Sequence, residues 1–311
     1  RELTNLKVIF FIFGFSIMSW LPRFPEVKDH LRLSNGEFGS LLSLGAIGNI
    51  FALLTVGHLV HKYGAKLIMQ IAFLTLAISI IVLSHTSSSI IFVIFMILFC
   101  IGISAFHISI NAQGFSFQDR NKKQVITLLS GYWSSGALLT SVVAGILVGL
   151  VSIEVHIASV AILSLIVMFR TISTMKPNLV KPNENPESNL KLSETFKGFN
   201  FDMLVSGGLL CAIMLEFAVG DWSAILIKED FKILSGIHTL PFILFTLSMI
   251  IGRLGFHKVL HRFSMQKLAK VAAIVSGTSF LIGIAAVSAI GTKSHALTIV
   301  VLSISFTFAG I

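Results

Sequence analysis

Apolar residues fall along the chain in long runs, with no strand-like alternation. Ten segments rich in Leu, Ile, Val and Phe stand out: Leu6–Leu21, Phe38–Val60, Leu67–Leu83, Ser89–Ile110, Val125–Leu150, Ile153–Phe169, Phe201–Ile227, Gly236–Phe256, Leu268–Ile290 and Ala296–Ile311. A helix needs about 20 mostly apolar residues to cross a hydrocarbon layer roughly 30 Å thick. Gly, Ser and Thr are mixed into these runs, which suits helices that pack closely in lipid. Amphipathic strands of about ten residues are missing, which argues against a barrel. The pattern predicts an all-α membrane protein with about ten transmembrane helices. The first run is followed by Trp20-Leu21-Pro22-Arg23-Phe24-Pro25, with no small-residue cleavage site, so it reads as a retained helix ending at a rigid turn.

Composition sharpens this picture. Of 311 residues 55% are hydrophobic and only 12% are charged, with a mean hydropathy of +0.91. A soluble domain carries about 25% charged residues, so an ordinary soluble enzyme is excluded. The net charge of +9 would fit a nucleic-acid partner, but its distribution fits membrane orientation better. With the amino terminus in the cytoplasm, only Arg23, Lys28, Arg32, Lys228, Lys232 and Lys293 of the 23 basic residues fall on the outer side. Such asymmetry sets topology; no nucleic-acid partner is expected. Cys100 and Cys211 lie in apolar runs without disulfide or metal spacing, and neither metal nor cofactor is expected. The chain starts at Arg1 and stops at Ile311 inside the tenth run, so it reads as a fragment whose C-terminal bundle is truncated.

Residues 171–200 break the pattern with Pro177, Pro182, Pro186 and mixed charges, the composition of a cytoplasmic linker. Residues 1–170 then form a six-helix bundle, and residues 201–311 an incomplete bundle of four helices. The two parts echo one another. His61-Lys62-Tyr63 and His261-Arg262-Phe263 each follow a glycine-containing helix end, and Trp20 and Trp222 lie near the ends of the first and seventh runs. Near-equal offsets of that kind are expected of a transporter built from two related halves.

At these residues the chain resembles the major facilitator superfamily. Gly57, Leu59, Lys62, Gly64 and Lys66 fit its short basic loop after the second helix, with His61 where an Asp is usual. Glu216-Phe217-Ala218-Val219-Gly220-Asp221-Trp222-Ser223-Ala224 and Asn111-Ala112-Gln113-Gly114 resemble segments of bacterial inner-membrane proteins near the fucose-permease branch, where His107 takes the place of a frequent Asp. The resemblance implies a two-bundle fold and a secondary active transporter working by alternating access. It implies a small solute, sugar-like or otherwise polar, moved with protons by a monomer in the bacterial inner membrane. Export of amphiphilic compounds, or a sensor or scaffold that moves nothing, are the alternatives. The His61 and His107 departures keep the second alive. No catalytic constellation is visible, so an enzyme is not expected.

Ionisable groups inside apolar spans usually face a water-filled passage or a partner. Glu216, midway through the seventh run, is therefore the leading proton-coupling or solute-binding group, against the alternative of a neutral structural carboxyl. Asp221 lies on another face and is placed to pair with Arg23. Ser104, His107, Asn111, Gly114 and Gln118 recur at helical spacing on the fourth run, on a helix that the resemblance assigns to the central cavity. Interhelical hydrogen bonding explains that stripe equally well. Trp20 and Arg23 complete the candidate binding set, although Trp20 also fits an interfacial aromatic belt. Gly57, His61, Lys62, Gly64 and Lys66 form the candidate gating loop.

Overall fold

A computed structural model describes residues 1–123, 125–175, 203–233, 236–260, 265–290 and 293–310. Among them the secondary structure is helical. The order is α1 (Glu2–Ile17), a 3-10 turn (Leu21–Arg23), α2 (Phe24–Leu31), α3 (Asn35–Ser43), α4 (Gly45–Tyr63), α5 (Ala65–His85), α6 (Ser89–Asn121), α7 (Ile126–Leu147), α8 (Ile153–Ser173), α9 (Met203–Glu229), a 3-10 turn (Gly236–Thr239), α10 (Leu240–Leu260), α11 (Met265–Ile290) and α12 (His295–Ala309). Each of the ten apolar runs coincides with one of these helices, or with a helix and the short element beside it. Seven stretches among the described residues are long and apolar enough to cross a bilayer, and Gly236–Gly252 and His295–Ala309 are shorter apolar helices.

Hydropathy placed the helices but not all of their ends. The second run is two helices, α3 and α4, which meet at Leu44; ahead of the run, Ser34 and Glu37 form a reciprocal capping box that starts α3 at Asn35. The α6 helix continues eleven residues beyond Ile110 through a polar stretch. It ends where Lys122 turns left-handed at φ 52° and the Gln118 side chain accepts from the Val125 N–H at 3.1 Å. Gln118, read as the foot of the polar stripe, thus caps a turn.

By packing, the described chain forms two compact units. One comprises residues 1–10, 28–129 and 161–209. There α6 packs against α4 and α5, with Phe73 against Phe106 at 5.3 Å between ring centroids and Phe38 against Phe92 at 5.9 Å. Gly48 brings α4 onto the Ile97 backbone of α6. The polar ends of this unit are tied by Arg120 Nη2 to Glu2 Oε1 at 2.5 Å and by Asn5 Nδ2 to Thr174 Oγ1 at 3.1 Å.

The other unit comprises residues 11–27, 130–160 and 210–311. Its core gathers Val219, Ile227, Phe242, Phe245, Leu302 and Phe306. The Ser305 hydroxyl donates to the Ser279 carbonyl at 2.6 Å, tying α12 to α11. Division by packing runs through α1, α2, α7, α8 and α9. It is separate from the bundle boundaries expected near 170 and 200; most of the expected linker lies outside the described residues, as do His261, Arg262 and Phe263. Leu53, Ile90 and Leu163 are more than half exposed, the outward apolar surface that helices present to lipid.

Candidate functional site

The strongest polar constellation surrounds Arg23. Proline fixes φ in the turn Leu21-Pro22-Arg23 and delivers Arg23 to the start of α2, where Glu26 lies three residues on, one helical turn away. Arg23 Nε donates to Glu26 Oε1 at 2.9 Å and Nη2 to Glu26 Oε2 at 2.5 Å, the bidentate fork of a strong guanidinium–carboxylate pair. Nη2 also donates to the Val151 carbonyl between α7 and α8, at 2.8 Å. Nη1 lies 3.5 Å from His156 Nδ1. Because arginine only donates, Nδ1 is the acceptor and the ring proton sits on Nε2, which is buried without a hydrogen-bond partner. Arg23 is 2% exposed and His156 3%. Beside them opens a cavity of about 380 Å³ lined by Arg23, Glu26, Ser152, Lys228 and His238 among others. His238 Nε2 approaches the Pro22 carbonyl at 3.5 Å.

Two expectations need correction here. Arg23 pairs with Glu26, not with Asp221; an acid three residues on, in the first turn of α2, reaches the fork first, and among the described residues no ion pair joins Arg23 to Asp221. Trp20 is 1% exposed and packs edge-on against Phe24 with centroids 4.7 Å apart. In this conformation it is a core residue whose faces are closed to solute. Glu26 and His156 were missed, and the signal for Glu26 was present in the i, i+3 spacing.

On α6 the Ser104 hydroxyl donates to Asn49 Oδ1 of α4 at 2.8 Å, so the stripe extends onto a second helix through a residue that hydropathy hid in an apolar run. Asn111 Nδ2 donates to the His107 carbonyl at 2.9 Å. His107 and Asn49 are exposed and Asn111 is partly buried. Interhelical bonding and open polar surface therefore coexist on this face. On α9, Glu216 is half-buried and shares a face with the buried Val219, Gly220, Ser223 and Ile227, at spacings of three, four, seven and eleven. The exposed Met214 and Phe217 lie on another side.

The loop motif is built around backbone. Gly64 has φ 85°, a conformation that favours glycine, and its N–H donates to the Val60 carbonyl at 2.9 Å, closing α4. Lys66 Nζ donates to the Ser173 carbonyl at 2.9 Å and lies 3.4 Å from that of Met175, placing a cation at the C-terminus of α8. Lys62 Nζ lies 5.2 Å from the Tyr63 ring centre, His61 is exposed, and Gly57 has open space around it. Replacing Lys66 with methionine should lower stability by about 0.5–1 kcal/mol, with arginine retaining most of it; the apparent melting temperature of the purified protein checks this.

A larger loss is expected at Arg23. Glutamine there leaves the Glu26 carboxylate, the Val151 carbonyl and His156 without their shared donor. Removing one partner of a buried pair costs about 3–5 kcal/mol; with Glu26 27% exposed, about 1–3 kcal/mol is expected for Arg23→Gln. The double change Arg23→Gln with Glu26→Gln should recover part of that loss, which a thermal double-mutant cycle reads directly.

Comparison with known proteins places these features in a family. The Major Facilitator Superfamily profile matches residues 7–311. Membrane protein MosC of Rhizobium meliloti is 22% identical over 258 residues, covering 83% of this chain and 61% of that protein, so the chain spans about three-fifths of its length. An uncharacterized MFS-type transporter of Yersinia pestis is 20% identical over 284 residues, covering 90% of this chain and 71% of that protein. The nucleoside transporter NupG, crystallised as its D323A mutant, superposes with a TM-score of 0.77 at 16% identity, over 100% of this chain and 79% of that one. A D-xylose-proton symporter superposes at 0.66 and 16% identity, over 99% and 78%. The likeness to both structures is one of fold. The matches are to the superfamily as a whole and do not single out the fucose-permease branch.

Proposed function

We propose that this chain, which belongs to the major facilitator superfamily, is the greater part of a secondary active transporter that moves a small polar solute together with protons. Two bundles, residues 1–170 and 201–311 joined by 171–200, alternate the access of a central site. The amino terminus is cytoplasmic, the transporter works as a monomer in the inner membrane of a bacterium, and no cofactor takes part. The observation that carries this reading is Glu216. It is a carboxyl on the packed face of a long apolar helix, a costly placement that a proton-binding role explains. Asn111 and His107, with Asn49 and Ser104 beside them, supply the amide, imidazole and hydroxyl groups that recognise a hydroxylated solute. Similarity in fold to a nucleoside transporter and a D-xylose-proton symporter favours sugar-like or nucleoside-like cargo over an amphiphile.

The test is uptake by the full-length protein in proteoliposomes under an imposed pH gradient, with labelled D-xylose and uridine as probes. Accumulation above equilibrium supports the reading. Flux of a probe that ignores the gradient rejects proton coupling. Absence of flux for any probe in a broad sugar and nucleoside panel favours the sensor or scaffold reading, which rests on His61 in place of the loop's usual Asp.

A further inference from the structure

The second compact unit draws on both expected bundles. Residues 11–27 and 130–160 come from the first, and residues 210–311 from the second. Contacts that join them fall at corresponding helix ends. Met18 and Leu21, just past the end of α1, pack against the core of Val219, Ile227 and Phe242. His238 Nε2 lies 3.5 Å from the Pro22 carbonyl. At the C-terminal end of α7, Gly145 meets Gly236 and Thr239 of the 3-10 turn that precedes α10. With the amino terminus cytoplasmic, α1, α7 and α9 run outward and α10 starts outside, so these contacts lie at the outer end.

The glycines set how closely the two sides meet. A Cβ at Gly236 would strike the Gly145 carbonyl oxygen and lie 3.3 Å from its carbon and 3.7 Å from Val148 Cβ. A Cβ at Gly145 would strike the Thr239 hydroxyl and lie 3.4 Å from Thr239 Cβ. Neither glycine has a positive φ, so the close approach, and not backbone conformation, calls for glycine. The Thr239 hydroxyl donates to the Gly236 carbonyl at 2.8 Å, within its own turn. Among the described residues no backbone hydrogen bond joins Gly145 to Gly236. Their attraction is dispersion, which a small gap already weakens steeply. The strong polar bonds at this end stay on one side: Arg23, Glu26, Val151 and His156 all belong to residues 1–170. Parting the two sides therefore leaves the buried ion pair intact.

We propose that the contact of Gly145 with Gly236 and Thr239 is an outer gate, closed in this structure. It opens by parting α7 from the turn before α10, while α1 and α7 stay joined through Gly14, Gly136 and the backbone each meets. Two kinds of glycine contact are thus distinguished: a permanent one inside the first bundle and a separable one between bundles. The gate rests on the reading of two bundles that alternate access, and it is independent of the solute and of the role of Glu216.

The experiment is labelling of the full-length protein in right-side-out membrane vesicles by a membrane-impermeant maleimide added outside. The labelled position is Leu21→Cys, with Cys100 and Cys211 changed to alanine, compared with and without a gate substitution. Gly236→Val is expected to raise the labelling rate about fivefold or more, because its side chain holds the outer ends apart. Gly145→Ala presses on the Thr239 side chain, which can move, and should raise the rate less but in the same direction. Gly136→Ala acts inside the first bundle. It should lower the melting temperature and, below that temperature, leave labelling within about twofold of the reference. The proposal is overturned if Gly236→Val and Gly145→Ala both leave the rate within about twofold, or if Gly136→Ala raises it as much as they do. Labelling reads the gate without flux, so a failure of transport and a failure of the gate are seen separately.

Discussion

Alanine in place of Gly136 should destabilise the protein by about 2–3 kcal/mol or more, the upper part of the range for overpacking a close contact. A Cβ built at position 136 falls far inside van der Waals contact with the Phe11 carbonyl oxygen, and it lies 2.9 Å from both Phe11 C and Phe15 N. The clash is reciprocal along the same contact, because a Cβ at Gly14 would strike the Trp133 carbonyl and lie 3.2 Å from its Cα. In both cases the obstacle is backbone. No rotamer change relieves it, and α1 and α7 must move apart over the whole contact. Lost close contact is expensive in lipid, where small residues and van der Waals packing drive helix association. Gly57→Ala is the control. Nothing lies within 4 Å of the position, and alanine gains about 0.5–1 kcal/mol of helix propensity. The apparent melting temperature, read by size-exclusion recovery after heating, should fall clearly for Gly136→Ala and hold or rise for Gly57→Ala. Equal melting of the two variants would mean that α1 and α7 do not touch as described.

What the sequence made legible follows from which forces are local. Apolar runs report burial in lipid, and each of the ten falls on a helix. Capping is written in a few polar atoms, so the start of α3 at Asn35 and the extension of α6 to Asn121 escaped a reading based on hydropathy. Gly64 was legible as part of a motif, and its positive φ gives the physical reason for glycine there. Long-range partners were not legible. Val151 and His156 meet Arg23 across more than a hundred residues, and Asn49 meets Ser104 across 55. Spacing within one helix carries no information about such encounters. Arg23 illustrates both cases. Its importance was readable, its nearest acid was misassigned to Asp221, and the local i, i+3 partner Glu26 prevailed. Trp20 failed for a related reason, since aromatic residues at helix ends serve as interfacial anchors, stacking surfaces or core, and only packing against Phe24 decides.

Loss of gradient-driven accumulation is the second large effect expected, on changing Glu216 to glutamine. The amide matches the carboxyl in size and keeps hydrogen-bonding capacity, so the face shared with Val219, Gly220 and Ser223 should pack as before. Glutamine cannot take up or release a proton in the working pH range. If Glu216 carries the proton, the variant should still exchange solute between the two sides and yet be unable to concentrate it. Accumulation should fall by about tenfold or more, toward simple equilibration, while melting shifts little. A structural carboxyl predicts the reverse, with weakened stability and unaltered coupling.

Those alternatives separate in one assay on the full-length protein. Proteoliposomes holding the native protein or Glu216→Gln are given a pH gradient, and uptake of labelled D-xylose or uridine is compared with counterflow of the same probe without a gradient. Proton coupling through Glu216 predicts concentrative uptake for the native protein, and counterflow without concentration for the variant. Equal concentrative uptake by both would contradict it.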